Sequence, residues 1–454
     1  YKMQNPGTYR YYRLYVVSTN RSIGVFIGEL AYYETKMIAT ATYGHISNWN
    51  VSNVTNMDDL FSEKYYFNEN ISNWDVSNVT SMYRMFADAR DFNQEIDSWD
   101  VSKVTNMSRM FNYAYDFNQE IDSWNVSKVT NMEKMFDSAW VFNKSLNSWD
   151  VSNVTNIHSM FQTASAFNGN IADWDVSQVT DLAYLFKNAT SFNGDISGWN
   201  TSNVTIMQQM FHTASAFNND LNSWNTSNVK NMDSMFHTAS AFNKALDSWN
   251  VSQVTDMSYM FKSATTFDKA LDSWNVSSVK DMKYMFQSAS AFNRPIGSWN
   301  ISNVTKTQDM FVNASSFNQD ISGWDVSNVT YMSFMFSNTP FNNGGSTGIN
   351  NWNVSSVTTL WGMFKNATSF NQDISGWDVS SVATIRQMFY NATSFNQDIS
   401  TWDLQIGTDL TEYGNSSGHS EPLFTSSSIY YFRLARTPLT DSNIQTAVDA
   451  WIAD

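Results

Sequence analysis

A pattern of hydrophobic and polar positions recurs every 25 residues along most of the chain. In the unit beginning near Phe92, the apolar residues fall into two groups, one from Phe92 to Val101 and one from Val104 to Ala114. The second group is spaced mostly by three and four, which predicts an amphipathic helix of about three turns with Ser102 at its N-cap. The first group is irregular and contains β-formers, which predicts a short strand with a bend.

A tryptophan marks each unit, and all but one of the intervals between successive marker tryptophans are 25 residues. A fixed period of this length is typical of a solenoid, in which neighbouring coils bury each other's apolar faces. The predicted fold is an α/β solenoid, a leucine-rich-repeat-like right-handed array of about fifteen strand-helix units with short β or helical end caps. The marker residues are Trp49, Trp74, Trp99, Trp124, Trp149, Trp174, Trp199, Trp224, Trp249, Trp274, Trp299, Trp324, Trp352, Trp377 and Trp402.

Two further repeated positions have structural interpretations. Methionines such as Met107 and Met110 are predicted to fill the core, because thioethers adapt to irregular gaps. An asparagine follows the first phenylalanine of most units, and Asp268 stands at the equivalent position of one unit. Since a side-chain amide can serve its own coil and the next, these residues predict an internal asparagine ladder.

The pattern divides the chain into three segments. Residues 1–43 are aromatic and β-branched, which predicts an N-terminal β-rich cap or sandwich fragment. Residues 44–403 hold the repeats, and Pro340 with the segment 343–351 predicts a bulged loop or slight kink. Residues 404–454 are predicted to contain a linker, a strand and a helix.

Charge and composition narrow the functional classes. A net charge of -16 opposes binding to nucleic acid, and the chain has no run of apolar residues long enough for membrane insertion. There is no cysteine for disulfide or thiol chemistry. No catalytic, metal or cofactor motif was found, and His158, His212 and His237 are predicted to occupy separate surface positions. Rows of carboxylates leave weak calcium binding as an alternative to a solvated acidic face.

Glycosylation sequons are dense and fall into three sets. Asparagines directly after the marker tryptophan, such as Asn50, alternate with aspartates such as Asp75, which predicts a turn-forming acceptor at that position. A second set is predicted near the helix start and a third in an exposed loop after the helix. The candidate sites of the third set are Asn188, Asn313, Asn366 and Asn391, and those of the second set are Asn53, Asn78, Asn153, Asn203, Asn303 and Asn328.

The unit W-[DN]-V-S-x-V-T-x-M-x-x-M-F-x-x-A-x-x-F-N-x-x-I, as in Trp99 to Ile121, resembles the BspA-like leucine-rich repeats of microbial surface proteins. The similarity is to the mycoplasma-lipoprotein-type subfamily with 25-residue repeats. The resemblance implies an extracellular or cell-surface protein that is not an enzyme and has an adhesive or structural role. No catalytic residue is implied by it.

Two functional hypotheses follow. In the first, the protein is a structural or adhesive subunit that self-associates head-to-tail, with the apolar residues Ile444, Val448 and Trp451 of a C-terminal helix capping the first coil of another copy. A simpler explanation of the open ends is that the chain is part of a longer tandem polypeptide. In the second, it is a receptor for a glycan or protein ligand, which the non-repeat aromatics Trp140, Trp361 and Tyr115 could contact.

Overall fold

The computed structural model of the protein describes residues 40–399, 401–405 and 408–411. The chain divides into two compact units, Tyr1–Trp49 and Asn50–Asp454. In the described part of the first unit, a 3-10 helix spans Ile46–Asn48 and the Trp49 indole donates a hydrogen bond to the Gly44 carbonyl. The predicted β-rich N-terminal segment and the predicted C-terminal strand and helix lie outside the described residues.

The second unit is a repeat solenoid whose coils are joined by isolated parallel bridges. Bridges link equivalent residues of successive coils, as in Asn56 to Ser81 and Ser81 to Asn106; one series runs from Asn56 to Asn156 and a second from Asp181 to Asp409. The backbone amide of Thr105 donates to the Thr80 carbonyl of the preceding coil at 2.9 Å. The coils therefore share one register along the array.

The predicted helix in each unit is wrong, because the described segment forms a series of tight turns. Within one coil, Met85, Ala87 and Ala89 donate their amides to the residue three positions earlier, as in Met85 to the Met82 carbonyl at 3.2 Å. The intervening amides donate to the next coil, as in Phe86 to the Met110 carbonyl at 2.9 Å. In an α-helix all of these amides would donate within the helix. Here about half of them donate to backbone carbonyls of the next coil instead.

Two residues in each of these turn segments adopt a left-handed backbone conformation, which allows the chain to reverse direction tightly. Arg84 has φ 54° and Asp88 has φ 58°, and the equivalent two residues of most coils also have positive φ. Such conformations cost roughly 1–2 kcal/mol for residues with a Cβ. The inter-coil hydrogen bonds on either side stabilise this geometry in register. The predicted N-cap serine is also reassigned, because the Ser102 amide donates to the Asp100 carboxylate at 3.0 Å in a local turn.

The predicted strand with a bend is also absent from the described coils, where the segment from Phe92 to Val101 has a turn at Asp97 and Ser98 and no other regular structure. Its apolar side chains are nevertheless buried. Phe92 and Trp99 are buried, and Phe86 stacks on Phe92 with ring centroids 3.9 Å apart. The sequence pattern thus predicted correctly which apolar side chains are buried, but they lie on turns and not on a helix and a strand.

The core is built from ladders of identical side chains. Phe86 and Phe111 of successive coils stack with centroids 5.6 Å apart, and Trp124 and Trp149 with centroids 6.4 Å apart. Met107 is fully buried, which confirms the core-filler interpretation. Each ladder buries apolar surface that a single coil would leave exposed.

The predicted irregularity near Pro340 consists of two 3-10 helices, Asn343–Gly345 and Gly348–Asn351. The Asn343 side chain is buried and fixes this segment: its Oδ1 accepts from the Ile321 amide at 2.9 Å, and its Nδ2 donates to the Ser346 carbonyl at 2.8 Å. The segment is therefore anchored to the preceding coil.

Candidate functional site

An exposed column of aromatic and cationic side chains crosses four successive coils, and we call Tyr65, Arg90, Tyr115 and Trp140 the aromatic row. The Arg90 guanidinium lies 4.4 Å from the Tyr65 ring centroid and 5.4 Å from that of Tyr115. The Tyr115 and Trp140 rings are parallel within 11°, with centroids 3.9 Å apart. The 25-residue register alone brings these residues together.

Neighbouring groups hold the aromatic row in place. Asp88 accepts a 2.8 Å hydrogen bond from Arg90 Nε, which keeps the guanidinium between the two tyrosine rings. The Tyr113 ring stands edge-on to Tyr115 at 6.3 Å. The negative charge of Asp137 is the main reason that the pKa of Tyr113 is raised, so this phenol remains a neutral hydrogen-bonding group.

The aromatic row ends at Trp140, where one face of the indole ring is exposed. Trp140 is 47% exposed and Val141 is 43% exposed. Tyr115 covers one face of the Trp140 indole, and the residue in register in the following coil is Ser165, whose Oγ donates to the Trp140 carbonyl at 3.2 Å. A serine side chain is too small to cover an indole, so the second face is open.

Trp361 belongs to a different cluster. Its ring lies 5.0 Å from that of Phe334, and the Arg386 guanidinium lies 5.7 Å from it. The structure thus pairs Tyr115 with Trp140 and places Trp361 elsewhere. Arg90 and Tyr65 were not predicted from the sequence, although their positions one and two periods before Tyr115 were a usable signal.

The third sequon set lies within the turns, at left-handed positions, where the sequence predicted a loop after a helix. Asn188, Asn313, Asn366 and Asn391 have φ between 56° and 59°, a conformation that asparagine tolerates well. Asn391 Nδ2 donates to Asn366 Oδ1 at 3.0 Å, and Asn366 Nδ2 donates to Asn338 Oδ1 at 2.6 Å. Asn313 is exposed and the other three are half-buried. Their glycosylation stays a prediction.

The second sequon set is exposed throughout. In five of its members Nδ2 donates to a serine carbonyl of the preceding coil, as in Asn78 to Ser52 at 2.9 Å. Asn53 is exposed as well, and occupancy of this set also stays a prediction. The other members with this bond are Asn153, Asn203, Asn303 and Asn328.

The asparagines after the marker tryptophans form local turns, as predicted. Asn50 Oδ1 accepts from the Ser52 amide at 3.1 Å, and Asp75 Oδ1 does the same with Ser77. The bonds from Ser77 lower the pKa of Asp75. The position therefore selects a short side-chain acceptor.

Carboxylate and histidine side chains are possible metal ligands. Among the residues that the structure describes, no group of three or more His, Cys, Asp or Glu side chains could hold a metal ion.

The prediction of separate surface histidines was wrong for one pair: His212 and His237 stack with centroids 4.4 Å apart and are half-buried. Burial is the main cause that lowers the pKa of each to about 4.

The described part of the chain contains no helix long and apolar enough to cross a membrane. The proposed assembly residues Ile444, Val448 and Trp451 lie outside the described residues.

Comparison with known proteins identifies the repeat. The family model described as "Mycoplasma protein of unknown function, DUF285" matches residues 32–149, 130–249, 239–347 and 341–420. The chain belongs to the DUF285 family. The four overlapping matches span the aromatic row of this DUF285 protein and its repeat array.

Two other comparisons add little to the DUF285 assignment. No curated protein matches the chain. Among solved structures, the functional domain of InlJ from Listeria monocytogenes, described as including a cysteine ladder, is 12% identical, with 67% of this chain and 69% of that chain covered. The TM-score is 0.17, so this likeness carries no argument about the DUF285 protein.

Proposed function

We propose that this protein is a non-enzymatic adhesive protein of the cell surface or extracellular space, in which the coil array displays the aromatic row to a partner. The observation that carries the proposal is the stack of Arg90, Tyr115 and Trp140 on the side of the array, in which Arg90 and Trp140 are exposed and Tyr115 is half-buried. Tyrosine, tryptophan and arginine are the residues that most often dominate binding energy at protein interfaces.

The stacking also supports a binding role because it pre-organises the contact surface. Tyr115 and Arg90 are fixed by their neighbours before any partner arrives, so little side-chain entropy is lost on binding. A solvated surface needs no such arrangement, and a cluster of exposed aromatic groups carries a solubility cost.

The finer classification belongs to the same proposal. The W-[DN]-V-S-x-V-T motif supports placing the array among right-handed leucine-rich-repeat solenoids of the BspA-like subfamily. That placement agrees with an extracellular role, and crystallography of the coil array tests it, because a left-handed array would contradict it.

A binding screen tests the adhesive function. The full chain would be mixed with insoluble cellulose, chitin, collagen fibres and mucin-coated beads, and the bound fraction measured after sedimentation. We expect retention by at least one of these materials and its loss in the double variant Tyr115→Ala/Trp140→Ala. Trp361→Ala is the matched control, because it removes an exposed tryptophan from the other cluster. No retention by any material, or equal retention of the double variant, would contradict the proposal.

Head-to-tail filament formation is a second proposal that rests on the sequence of the C-terminal segment. Light scattering at rising concentration of the full chain and of Trp451→Ala tests it. A monomer at every concentration would exclude this assembly.

A further inference from the structure

Beyond Trp140, the surface continues as a shelf of small uncharged side chains. Ser165, Thr190 and Ser215 follow Trp140 at intervals of 25 residues, and Val141 is followed in the same way by Ala166 and Ser191. The open face of the Trp140 indole lies at one end of this shelf. We use the name hydroxyl shelf for Ser165, Thr190 and Ser215.

The side-chain hydroxyls of the hydroxyl shelf can offer only acceptor lone pairs to a ligand. Ser165 Oγ donates to the Trp140 carbonyl at 3.2 Å, Thr190 Oγ1 to the Ser165 carbonyl at 3.3 Å, and Ser215 Oγ to the Thr190 carbonyl at 3.3 Å. Each hydroxyl has a single proton, which is used in these bonds. The lone pairs that remain can accept from a ligand that carries hydroxyl donors.

The backbone carbonyls of Trp140, Ser165 and Thr190 are already satisfied, which disfavours an extended peptide. The Trp140 carbonyl accepts from the Ala166 amide at 3.0 Å as well as from Ser165 Oγ. The Ser165 carbonyl likewise accepts from the Ser191 amide at 3.1 Å and from Thr190 Oγ1. Binding by strand addition needs unpaired backbone groups, and these carbonyls have both lone pairs occupied.

Charge points to the same ligand class. The shelf residues and Trp140 carry no charge, and the protein as a whole has a net charge of -16. An anionic polymer would meet repulsion without a local counter-charge. The ligand expected here is therefore an uncharged one.

We propose that the Trp140 face and the hydroxyl shelf bind a neutral polysaccharide, with one pyranose ring stacked on the free indole face and hydroxyls of that same ring donating to Ser165 and Thr190. The apolar C–H face of a pyranose matches an aromatic ring, and its hydroxyls match an acceptor row. This inference rests on the proposed adhesive function and names its ligand class.

Affinity electrophoresis of the full chain through gels containing a soluble polysaccharide tests the proposal. The probes are the neutral polymers hydroxyethyl cellulose, xyloglucan and mannan, and the anionic polymer alginate. We expect retardation by at least one neutral polymer and none by alginate. Trp140→Ala should weaken the retarding interaction at least 10-fold, whereas the control Trp361→Ala should leave it unchanged.

A second variant separates the open face from the fold. Ser165→Leu places a branched aliphatic side chain in register against the free indole face, and it adds no aromatic ring while Trp140 stays in place. We expect it to abolish retardation without lowering the melting temperature. Unchanged retardation of Ser165→Leu or of Trp140→Ala would overturn the proposal.

The two proposals fail in different ways. Retention by collagen fibres or mucin-coated beads that depends on Trp140, without retardation by any neutral polymer, would overturn the polysaccharide assignment and leave the adhesive function standing. The absence of binding in both experiments would overturn both.

Discussion

The indole Nε1 of Trp249 donates a 2.8 Å hydrogen bond to the backbone carbonyl of Leu221, which precedes it by 28 residues in the chain. The same bond recurs in neighbouring coils, as between Trp274 and Leu246. It ties the buried tryptophan of one coil to the backbone of the coil before. At Trp352, which follows the inserted 3-10 helices, Nε1 has no hydrogen-bond partner among the described residues.

This difference predicts unequal effects of the same substitution at two sites. Trp249→Phe removes the bond to Leu221 and should destabilise the protein by about 1 kcal/mol more than Trp352→Phe, which removes a donor without a partner. Both tryptophans are buried, so the loss of ring volume is common to the two variants. Urea unfolding followed by circular dichroism measures the difference. Equal midpoints and slopes for the two variants would show that the inter-coil bond contributes nothing.

The asparagine ladder provides a second prediction. Asn218 Oδ1 accepts from the Asn243 amide at 3.0 Å, and Asp268 accepts from the Asn293 amide at 3.1 Å in the same way. Asn218→Asp keeps an acceptor oxygen, so we expect stability close to that of the native chain. Asn218→Ala leaves the Asn243 amide without its acceptor and should cost about 1 kcal/mol.

Hydrogen exchange at the Asn243 amide checks this prediction directly. Protection should persist in Asn218→Asp and fall in Asn218→Ala. Loss of protection in both variants would mean that the amide nitrogen of asparagine, in addition to its oxygen, is needed at this position.

The stacked histidines predict a dependence of stability on pH. Burial lowers the pKa of His212 and His237 from 6.5 to about 4, so between these values the unfolded chain binds protons that the folded chain does not. Stability is therefore complete above about pH 6.5 and falls as the pH drops toward 4. The charged side chains that act on the pair are Lys187, Lys262 and Asp233, and the two lysines oppose protonation.

The double variant His212→Gln/His237→Gln tests the effect. Its melting temperature minus that of the native chain should increase as the pH is lowered from 7 to 4.5. Asp137 requires a control, because burial raises its pKa to about 6 and its contribution has the opposite sign: the folded state gains stability from it as the pH falls. Repeating the comparison in an Asp137→Asn background removes that contribution. A constant difference across the pH range would contradict the histidine prediction.

Much of the site could have been found by aligning the repeats. Residues 25 positions apart occupy one column, so Tyr65, Arg90, Tyr115 and Trp140 are recognisable as neighbours once the register is known. Tyr115 and Trp140 were predicted as contact residues from the sequence, whereas the position of Arg90 between two rings was not. The contact of His212 with His237 was not predicted either, because a predicted helix placed each histidine on a separate element.

The sequence by itself determined which side chains face inward and that equivalent residues stack. Hydrophobic residues at Met82, Met85, Phe86 and Ala89 have the spacing of one helical face, and all four are buried. A chain of successive tight turns, however, places the same positions inward, so periodicity cannot separate the two backbones. The asparagine ladder was predicted correctly as an inter-coil device, although its members range from half-buried to exposed.

Only the tertiary structure decided between turns and helices. The amide of Phe86 can bond either within its own coil or to the Met110 carbonyl of the next, and stacking in register supplies the second acceptor. A single coil has no such neighbour, so local sequence preferences point to a helix. The inter-coil hydrogen bonds form at alternate residues and stabilise left-handed backbone at positions such as Arg84, which the local preference of arginine disfavours.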